Sequence, residues 1–314
     1  MLTPPSQVKI FAATNSNYIS NDIVRELDLP LSKINIQKFS DGEIQPEIQE
    51  SVRGDYVFVV ASTNMPAENL MELLLVIDAA KRASAKYITA VIPYFGFARQ
   101  DRKDRPRVSL GAKLIANLIV ASGANRVMTM DLHAPQIQGF FDIPMDHLDS
   151  SYVFIPYLKA LGIDESICFA SPDVGSTNRA RGYAKHFNGE MVICDKQRKR
   201  ANEIAAMTVI GDVTGKDVIL VDDIIDTAGT LTSAAKLLME KGAKSVRAVC
   251  THPVLSGSAI ERVENSVLTE LVVCDTIPYT RKSDKIKRLE VAPLFATAIR
   301  NAVENKSINS LFIR

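Results

Sequence analysis

Asp222 and Asp223 stand side by side at the end of the apolar run Val218-Ile219-Leu220-Val221, and Asp226-Thr227-Ala228-Gly229-Thr230 follows within a few residues. Paired carboxylates accept hydrogen bonds well from vicinal hydroxyls. The small-residue loop offers the opposite chemistry. Gly229 lets the backbone approach an anion, the Thr227 and Thr230 hydroxyls donate to it, and a helix opening near Leu231 adds positive potential. A diol beside a phosphate describes ribose 5-phosphate. The plainer alternative is a strand, an acidic turn and an N-cap, since Asp and Thr cap helices routinely. Capping alone does not require two adjacent carboxylates followed by this loop.

Two further sites have the makings of metal chemistry. Asp131 and His133 lie two apart where the strand Arg126–Met130 ends, so both project to one side. Asp173 is presented in the same way just after Ile167–Ala170. Magnesium binds through one or two carboxylates and completes its shell with water and phosphate oxygens, which suits such positions. A turn with a hydrogen-bonded histidine is the alternative for Asp131-x-His133. Two basic clusters, Arg99 to Arg107 and Lys196 to Arg200, each follow a strand. Either they are solvated charged faces, or, for the second, Lys196 and Arg198 sit on a flap that closes over a polyphosphate and neutralises developing charge. No serine–histidine–acid or cysteine–histidine arrangement is apparent, so covalent catalysis is not indicated.

These residues need a scaffold of parallel strands with their carboxyl ends aligned. Short apolar strands do alternate with helical stretches, the pattern of an α/β protein. The strands expected are Lys9–Ala12, Tyr56–Ala61, Tyr87–Ile92, Arg126–Met130, Ile167–Ala170, Met191–Cys194, Val218–Val221, Val246–Cys250 and Glu270–Cys274. Helices are expected over Asn21–Leu27, Ala67–Ala83, Ser109–Ala121, Ser151–Leu161, Asn178–His186, Leu231–Lys241, Gly257–Asn265 and Ala292–Asn305. The segment from Asp55 to Val91 parallels that from Asp217 to Val249, strand–loop–helix–strand in both, as if one domain were duplicated. In the first copy the loop reads Ala61-Ser62-Thr63-Asn64-Met65, without paired carboxylates.

The chain has 314 residues, enough for two domains, and a 46% hydrophobic fraction permits two real cores. A formal charge of +1 argues against a general nucleic-acid binder. Cys168, Cys194, Cys250 and Cys274 show no metal-binding spacing and read as buried hydrophobes in a reducing compartment. With no signal pattern and no apolar run of membrane length, the expectation is a soluble, cytoplasmic protein without membrane partners.

Taken together, Phe39-Ser40-Asp41-Gly42-Glu43, Phe97-Ala98-Arg99-Gln100-Asp101-Arg102, Asp131-Leu132-His133, Ser171-Pro172-Asp173-Val174-Gly175, Asp195-Lys196-Gln197-Arg198 and Asp222–Thr230 resemble, in type and order, the ribose-phosphate diphosphokinases. The resemblance runs from Lys9 to Phe312. It implies two similar phosphoribosyltransferase-like domains, each a mainly parallel sheet flanked by helices. The division expected is 1–148 with the tail 306–314, and 149–305. It implies transfer of the diphosphoryl group of ATP to the C1 hydroxyl of ribose 5-phosphate with Mg2+, giving 5-phosphoribosyl 1-diphosphate and AMP. Asp222, Asp223, Asp226, Thr227, Ala228, Gly229 and Thr230 would hold ribose 5-phosphate. His133 and Asp173 would support the metal, and Lys196 and Arg198 would serve catalysis. Arg99 and Gln100 would contact ATP, and Phe39, Asp41 and Glu43 would reach adenine from a neighbouring subunit. The active form would then be a dimer-based homo-oligomer, up to a hexamer.

A regulatory site for phosphate or ADP would draw on Arg107, Asp146, His147, Ser307 and Asn309. The chain departs from the family pattern at three places. Ser176 replaces the second glycine of Ser-Pro-Asp-x-Gly-Gly, His147 replaces an asparagine, and Asn309 replaces a serine. The imidazole of His147 would gain a proton near neutral pH and attract an anion. The competing readings are a catalytically silent regulatory paralogue, or a type I phosphoribosyltransferase, which shares only the last loop.

Overall fold

The computed structural model describes residues 7–162, 167–200, 203–278 and 281–311, with the side chains of 196–200, 203–206 and 310 outside that description. The chain divides into two compact units. The first comprises Met1–Asp149, Thr276–Pro278 and Val291–Phe312, the second Ser150–Asp275, Tyr279–Glu290 and Ile313–Arg314.

In the first unit the elements run β1 (Val8–Ala12), α1 (Asn17–Leu27), β2 (Ile34–Lys38), β3 (Ile44–Ile48), β4 (Tyr56–Val60), α2 (Glu68–Arg82), β5 (Tyr87–Ile92), α3 (Gly111–Ser122), β6 (Arg126–Met130) and β7 (Met145–Leu148). Five of these strands form one sheet in the order β1-β4-β5-β6-β7, and every pairing in it is parallel. Strands β2 and β3 form a separate antiparallel hairpin. The β4 run Tyr-Val-Phe-Val-Val is apolar without alternation because both faces are covered. Val57 and Val59 pack with Leu73, Ile77 and Ile115 of α2 and α3, and Phe58 and Val60 are buried as well.

The second unit runs α4 (Ser151–Ala160), β8 (Ile167–Ser171), α5 (Thr177–Phe187), β9 (Glu190–Arg200), β10 (Glu203–Ile210), β11 (Asp217–Ile225), α6 (Gly229–Glu240), β12 (Ser245–Pro253), α7 (Ala259–Glu264), β13 (Leu271–Cys274) and β14 (Ile286–Leu289). Its sheet has the order β10-β9-β8-β11-β12-β13-β14. Only the β9–β10 pairing is antiparallel. Val218 and Leu220 pack against Leu231, Ala235 and Leu238 of α6, while Ile219 and Val221 are buried outside that cluster.

The last helix, α8 (Ala292–Val303), belongs to the first unit. This corrects the division that left 149–305 together. Helix α8 packs along α1, and Arg300 donates to the carbonyl of Glu26 at 2.8 Å. Its apolar face, with Leu294, Phe295, Ala298 and Ile299 buried, therefore completes the first core.

The repeat seen in sequence is real in topology, with a register one residue different from the sequence reading. Tyr56 pairs with Tyr87 as Asp217 pairs with Ser245, so the counterpart of Asp217 is Tyr56 rather than Asp55. Matching amides bear this out. Gly54 donates to the carbonyl of Ser84 and Gly215 to that of Gly242, and Lys86 donates to Asp55 as Lys244 does to Lys216.

Candidate active site

In the second unit the chain leaves β8 for β9 on one side and, after β10, returns to β11 on the other side. From β11 it proceeds to β12, β13 and β14 in that same direction. This reversal opens a crevice at the carboxyl ends of β8 and β11, the position where open α/β sheets bind ligands. Three of the residues singled out by sequence meet there.

Strand β11 is long enough to carry Asp222 and Asp223 within it, paired to β12 as far as Ile225↔Pro253. Asp223 is buried and Asp222 half-buried. Strand β8 is the parallel neighbour of β11 and ends at Ser171, so the Asp173 turn lies beside the pair. The Asp173 carboxylate accepts from the amides of Gly175 at 2.9 Å and Ser176 at 3.2 Å, while the Ser171 hydroxyl donates to the Asp173 carbonyl. Ser176, one of the departures, then reaches across. Its hydroxyl donates to Asp222 Oδ1 at 2.6 Å, and that oxygen also accepts from the Asp223 amide at 3.0 Å. One serine thus links the Asp173 turn to the paired carboxylates.

The electrostatics follow from crowding. Burial, and then the negative charges of Asp223 and Asp173, push the Asp222 carboxyl up to about 8, against the opposing effect of the Ser176 hydrogen bond. A site that strains to keep its carboxylates ionised is primed for hydroxyl donors or a cation.

Past Ile225 the chain makes the loop to α6. Asp226 accepts through its carbonyl from the Ser256 amide at 2.9 Å, and Arg262 donates to the Thr227 carbonyl at 2.8 Å. Ala228 takes a left-handed conformation at φ +62, which costs on the order of 1–3 kcal/mol in a residue with a side chain. Helix α6 opens at Gly229, two residues earlier than expected. The backbone freedom assigned to Gly229 is therefore exercised at Ala228. Gly229 is helical, and a Cβ there would meet only ordinary contacts, Thr227 Oγ1 at 3.8 Å and Arg262 Nη1 at 3.9 Å. The protein's own packing does not require glycine at this position; a close-lying ligand would.

Strand β9 extends through Lys196 and Arg198 to Arg200, with Lys196 opposite Met207 and Arg198 opposite Ile204 in a hairpin with a bulged register. The backbone of the two strands is described, while residues 201–202 and the Lys196 and Arg198 side chains lie outside the description.

The first unit holds the remaining candidates. Phe39, Asp41 and Glu43 form the tip of the β2–β3 hairpin. The Phe39 amide donates to the Glu43 carbonyl at 2.8 Å, the Glu43 amide to Asp41 Oδ1 at 3.1 Å, and Gly42 supplies the left-handed turn at φ +97. The Phe39 ring is 42% exposed at this tip. Arg99 and Gln100 lie on a different element, the loop between β5 and α3. There the Gln100 carbonyl accepts from the Ala112 amide at 3.2 Å and its side chain accepts from Ser109. Asp131 is buried at φ +41, with its amide donating to the Leu148 carbonyl at 3.0 Å. His133 follows it.

The regulatory candidates are differently placed. Asp146 is buried and paired with Arg126 at 2.6 Å. His147 accepts at Nε2 from the Leu132 amide at 2.8 Å. That nitrogen is thereby engaged within the fold. Arg107 is exposed with φ +64, and the Asn309 amide donates to Ser307 Oγ at 3.1 Å in the turn Asn309–Leu311.

Among the described residues no group of three or more His, Cys, Asp or Glu side chains forms a preformed metal cage. Magnesium needs none, since it takes one or two carboxylates and keeps water and phosphate oxygens as its other ligands. Taken one unit at a time, the carboxylate of Asp173 in the second and the imidazole of His133, two residues from buried Asp131, in the first are each of a type that suits an ion arriving with its substrate. The four cysteines are buried and form no disulfide, and burial pushes Cys168 up to about 11 and Cys194 up to about 12. Cys250 is likewise pushed well up by burial, so these three thiols stay protonated near neutral pH. No helix among the described residues is long and apolar enough to cross a membrane.

One residue of consequence, Arg262, is not signalled by the sequence, and two others take on contacts that it does not show. Arg262 holds the Asp226–Thr230 loop from a helix 35 residues away, a link no local pattern signals. In the sequence Ser176 is a departure and not yet a partner of Asp222, and Asp131 is a candidate beside His133 whose burial and left-handed backbone do not show.

Comparison with known proteins gives consistent matches. Residues 8–123 match the family model for the N-terminal domain of ribose phosphate pyrophosphokinase, and residues 196–313 match the phosphoribosyl synthetase-associated domain. A ribose-phosphate pyrophosphokinase of Porphyromonas gingivalis is 56% identical over 303 residues, spanning 96% of this chain and 97% of its own. That of Campylobacter jejuni is 56% identical over 306 residues, spanning 97% and 99%. The crystal structure of phosphoribosylpyrophosphate synthetase from Mycobacterium smegmatis superposes with a TM-score of 0.91 at 38% identity, covering 96% of this chain and all of that one.

Proposed function

The chain belongs to the ribose-phosphate pyrophosphokinase family, and from that membership we propose how its residues divide the work. The enzyme transfers the diphosphoryl group of ATP to the C1 hydroxyl of ribose 5-phosphate. The observation that carries the assignment of its sugar site is the crevice between β8 and β11, where Asp222 and Asp223 adjoin a loop that opens α6.

In this reading the two carboxylates accept from the ribose hydroxyls. The 5-phosphate lies on the loop Asp226–Thr230, against the α6 N-terminus and the open face at Gly229. Phosphoryl transfer asks a protein mainly to position groups and to neutralise charge. Lys196 and Arg198, on the β9–β10 hairpin, supply that charge to the transferring group. Asp173 and His133 would serve as ligands to Mg2+, which would supply positive charge to offset that of the phosphates. Arg99 and Gln100 contact ATP, and Phe39, Asp41 and Glu43 offer an exposed ring and carboxylates to adenine from a neighbouring copy. Leu114 and Leu118 of α3, 55% and 39% exposed, support an assembly of at least two chains. Of the regulatory candidates, Arg107, Ser307 and Asn309 remain for phosphate or ADP. Asp146 and His147 are engaged within the fold.

A catalytically silent paralogue would be expected to have lost the flap lysine, the metal histidine or the ribose loop, and all are present in this chain. The test is AMP formation from ATP, with and without ribose 5-phosphate and magnesium. The reading requires strict dependence on both. AMP release without ribose 5-phosphate, or no release with it, would refute it.

A further inference from the structure

Asp131 is a non-glycine residue held at φ +41 directly after the last residue of β6, and it is 2% exposed. Such a conformation persists only when the surroundings over-determine it. Here two consecutive residues of β7 do so. The Asp131 amide donates to the Leu148 carbonyl at 3.0 Å, and the next amide, that of Leu132, donates to His147 Nε2 at 2.8 Å. The first acceptor is backbone, which any residue at 148 would supply. The second is a side-chain atom, so it is written in the sequence. Leu132 is itself 1% exposed, and a buried amide without its acceptor is costly. With Nε2 accepting, the neutral imidazole carries its proton on Nδ1.

The second unit provides an internal control. Its counterpart of Asp131 is Asp275, at the end of β13, whose amide donates to the Leu289 carbonyl at 3.0 Å just as Asp131 does to Leu148. The counterpart of His147 is Arg288, which has no acceptor to offer. Asp275 does not take the left-handed conformation, and no histidine follows it two residues on. The side-chain acceptor and the strained aspartate occur together, in the unit whose turn carries His133.

We propose that His147 is a positioning residue for the reaction: its imidazole pins the Asp131–Leu132–His133 turn in the conformation from which His133 meets the metal. This rests on the assignment of His133 to magnesium. Outer partners that orient a metal ligand typically affect metal affinity by about 10–100-fold. Gln at 147 can place an amide oxygen where Nε2 lies, whereas Leu keeps the bulk and offers no acceptor.

The experiment measures Mn2+ binding to the protein in the presence of ATP, by electron paramagnetic resonance, for wild type, His147→Leu, His147→Gln and His133→Ala. Steady-state constants for ribose 5-phosphate are measured alongside. His147→Leu is expected to weaken Mn2+ about tenfold, with the ribose 5-phosphate KM unchanged, and His147→Gln to restore most of the loss. Wild-type Mn2+ affinity in His147→Leu, with His133→Ala impaired, overturns the proposal and leaves the metal assignment standing. The same holds if His147→Leu alters only the phosphate or ADP response, or if His147→Gln fails as badly as Leu. Unchanged Mn2+ binding in His133→Ala removes the metal assignment and the proposal with it.

Discussion

The two units build their sheets from one plan and finish them differently. β1-β4-β5-β6-β7 in the first corresponds strand for strand to β8-β11-β12-β13-β14 in the second, and each unit inserts a hairpin between its first and second members. In the second unit the inserted strands join the sheet beyond β8 and create the reversal that opens a crevice. In the first they stand apart as β2–β3, so β1 remains an edge and no reversal forms. The residues agree with the topology. Where the second unit has Asp222 and Asp223, the first has Ala61 and Ser62, both fully buried. Its loop then folds down onto Gly96. The Gly96 amide donates to Thr63 Oγ1 at 2.7 Å, and a side chain at 96 would overlap the Thr63 carbonyl. The proposed sugar-phosphate site thus falls in the copy that has both the topological reversal and the carboxylates beside it.

The largest expected effect separates the two inserted hairpins. Lys196→Ala, on β9, removes a preorganised charge aimed at the transition state and should lower kcat about 10²–10³-fold with little change in KM. Phe39→Ala, on the other hairpin, should raise the KM for ATP and leave kcat largely intact. If Lys196→Ala raises KM while turnover stays near wild type, the second hairpin only binds and the contrast between the two collapses.

Next come the carboxylates. Asp223→Asn keeps shape and removes charge beside the diol, so the KM for ribose 5-phosphate should rise about tenfold or more while that for ATP stays put, as expected for a hydrogen bond to a charged group. Equal losses for both substrates would point to damage to the unit rather than to the sugar site. Asp222 adds a pH signature. Its carboxyl ordinarily titrates at 3.8 and is pushed up to about 8 in the folded protein by burial and by Asp223. Between those values the folded protein holds a proton that the unfolded chain releases. Its stabilising contribution is therefore complete below the lower value and is lost as pH rises toward 8. In substrate-free protein without added metal, the melting temperature of wild type should fall between pH 5 and pH 8.5 by about 3 °C more than that of Asp222→Asn. Parallel curves would show that Asp222 is not the group responsible.

A smaller change tests the serine that bridges the two turns. Ser176→Gly, which restores the residue usual in the family, removes the 2.6 Å donor to Asp222 Oδ1. The Ser176 amide, and with it the bond to Asp173, remains. Ribose 5-phosphate KM should shift by about a few fold, less than for Asp223→Asn because the Ser176 hydroxyl acts through Asp222 and not on the sugar itself, and Ser176→Ala should behave alike. A different result for Gly and Ala would make backbone freedom, not the hydroxyl, the operative feature.

How much of this the sequence discloses depends on whether the signal is local. Strands buried on both faces announce themselves as uninterrupted apolar runs, so β4 and β11 are legible, as is the loop after β11. Strands that face solvent are not. Hairpin β2–β3 alternates half-buried and exposed residues through Ile34-Asn35-Ile36-Gln37-Lys38, and Pro46 sits within β3. Strand β14, Ile-Lys-Arg-Leu, has only one buried residue. The partners of the site are similarly hidden. Ser176 to Asp222, Arg262 to Thr227 and Leu132 to His147 span 46, 35 and 15 residues, distances over which only the folded sheet can bring them together. Helix α8 reads correctly as a helix, but its unit does not, because nothing local tells an apolar helix face which core it will cover.

The smallest expected effect asks whether the duplication extends to parts that serve no chemistry. Ser84 and Gly242 occupy corresponding turns after α2 and α6, each left-handed, at φ +64 and +92, and each accepting an amide through its carbonyl. Glycine adopts this conformation without the steric penalty a side chain incurs, so the second unit has the better residue for the turn. Around Gly242 a Cβ would meet nothing nearer than Thr214 at 3.6 Å, so a substitution there pays in backbone strain alone. Ser84 gains one exposed contact in compensation, from Arg53 Nη1 to its hydroxyl at 3.2 Å. Swapping the residues should therefore have opposite signs. Ser84→Gly should raise the melting temperature by about 1 °C and Gly242→Ser lower it by about 2 °C, the shifts that fractions of a kcal/mol produce in units of this size. Both turns lead into the amino ends of β5 and β12, away from the carboxyl ends where the site residues gather, so kinetic constants should not move. A change in ribose 5-phosphate KM for Gly242→Ser would show that the second unit's turn is tied to its site in a way the first unit's is not.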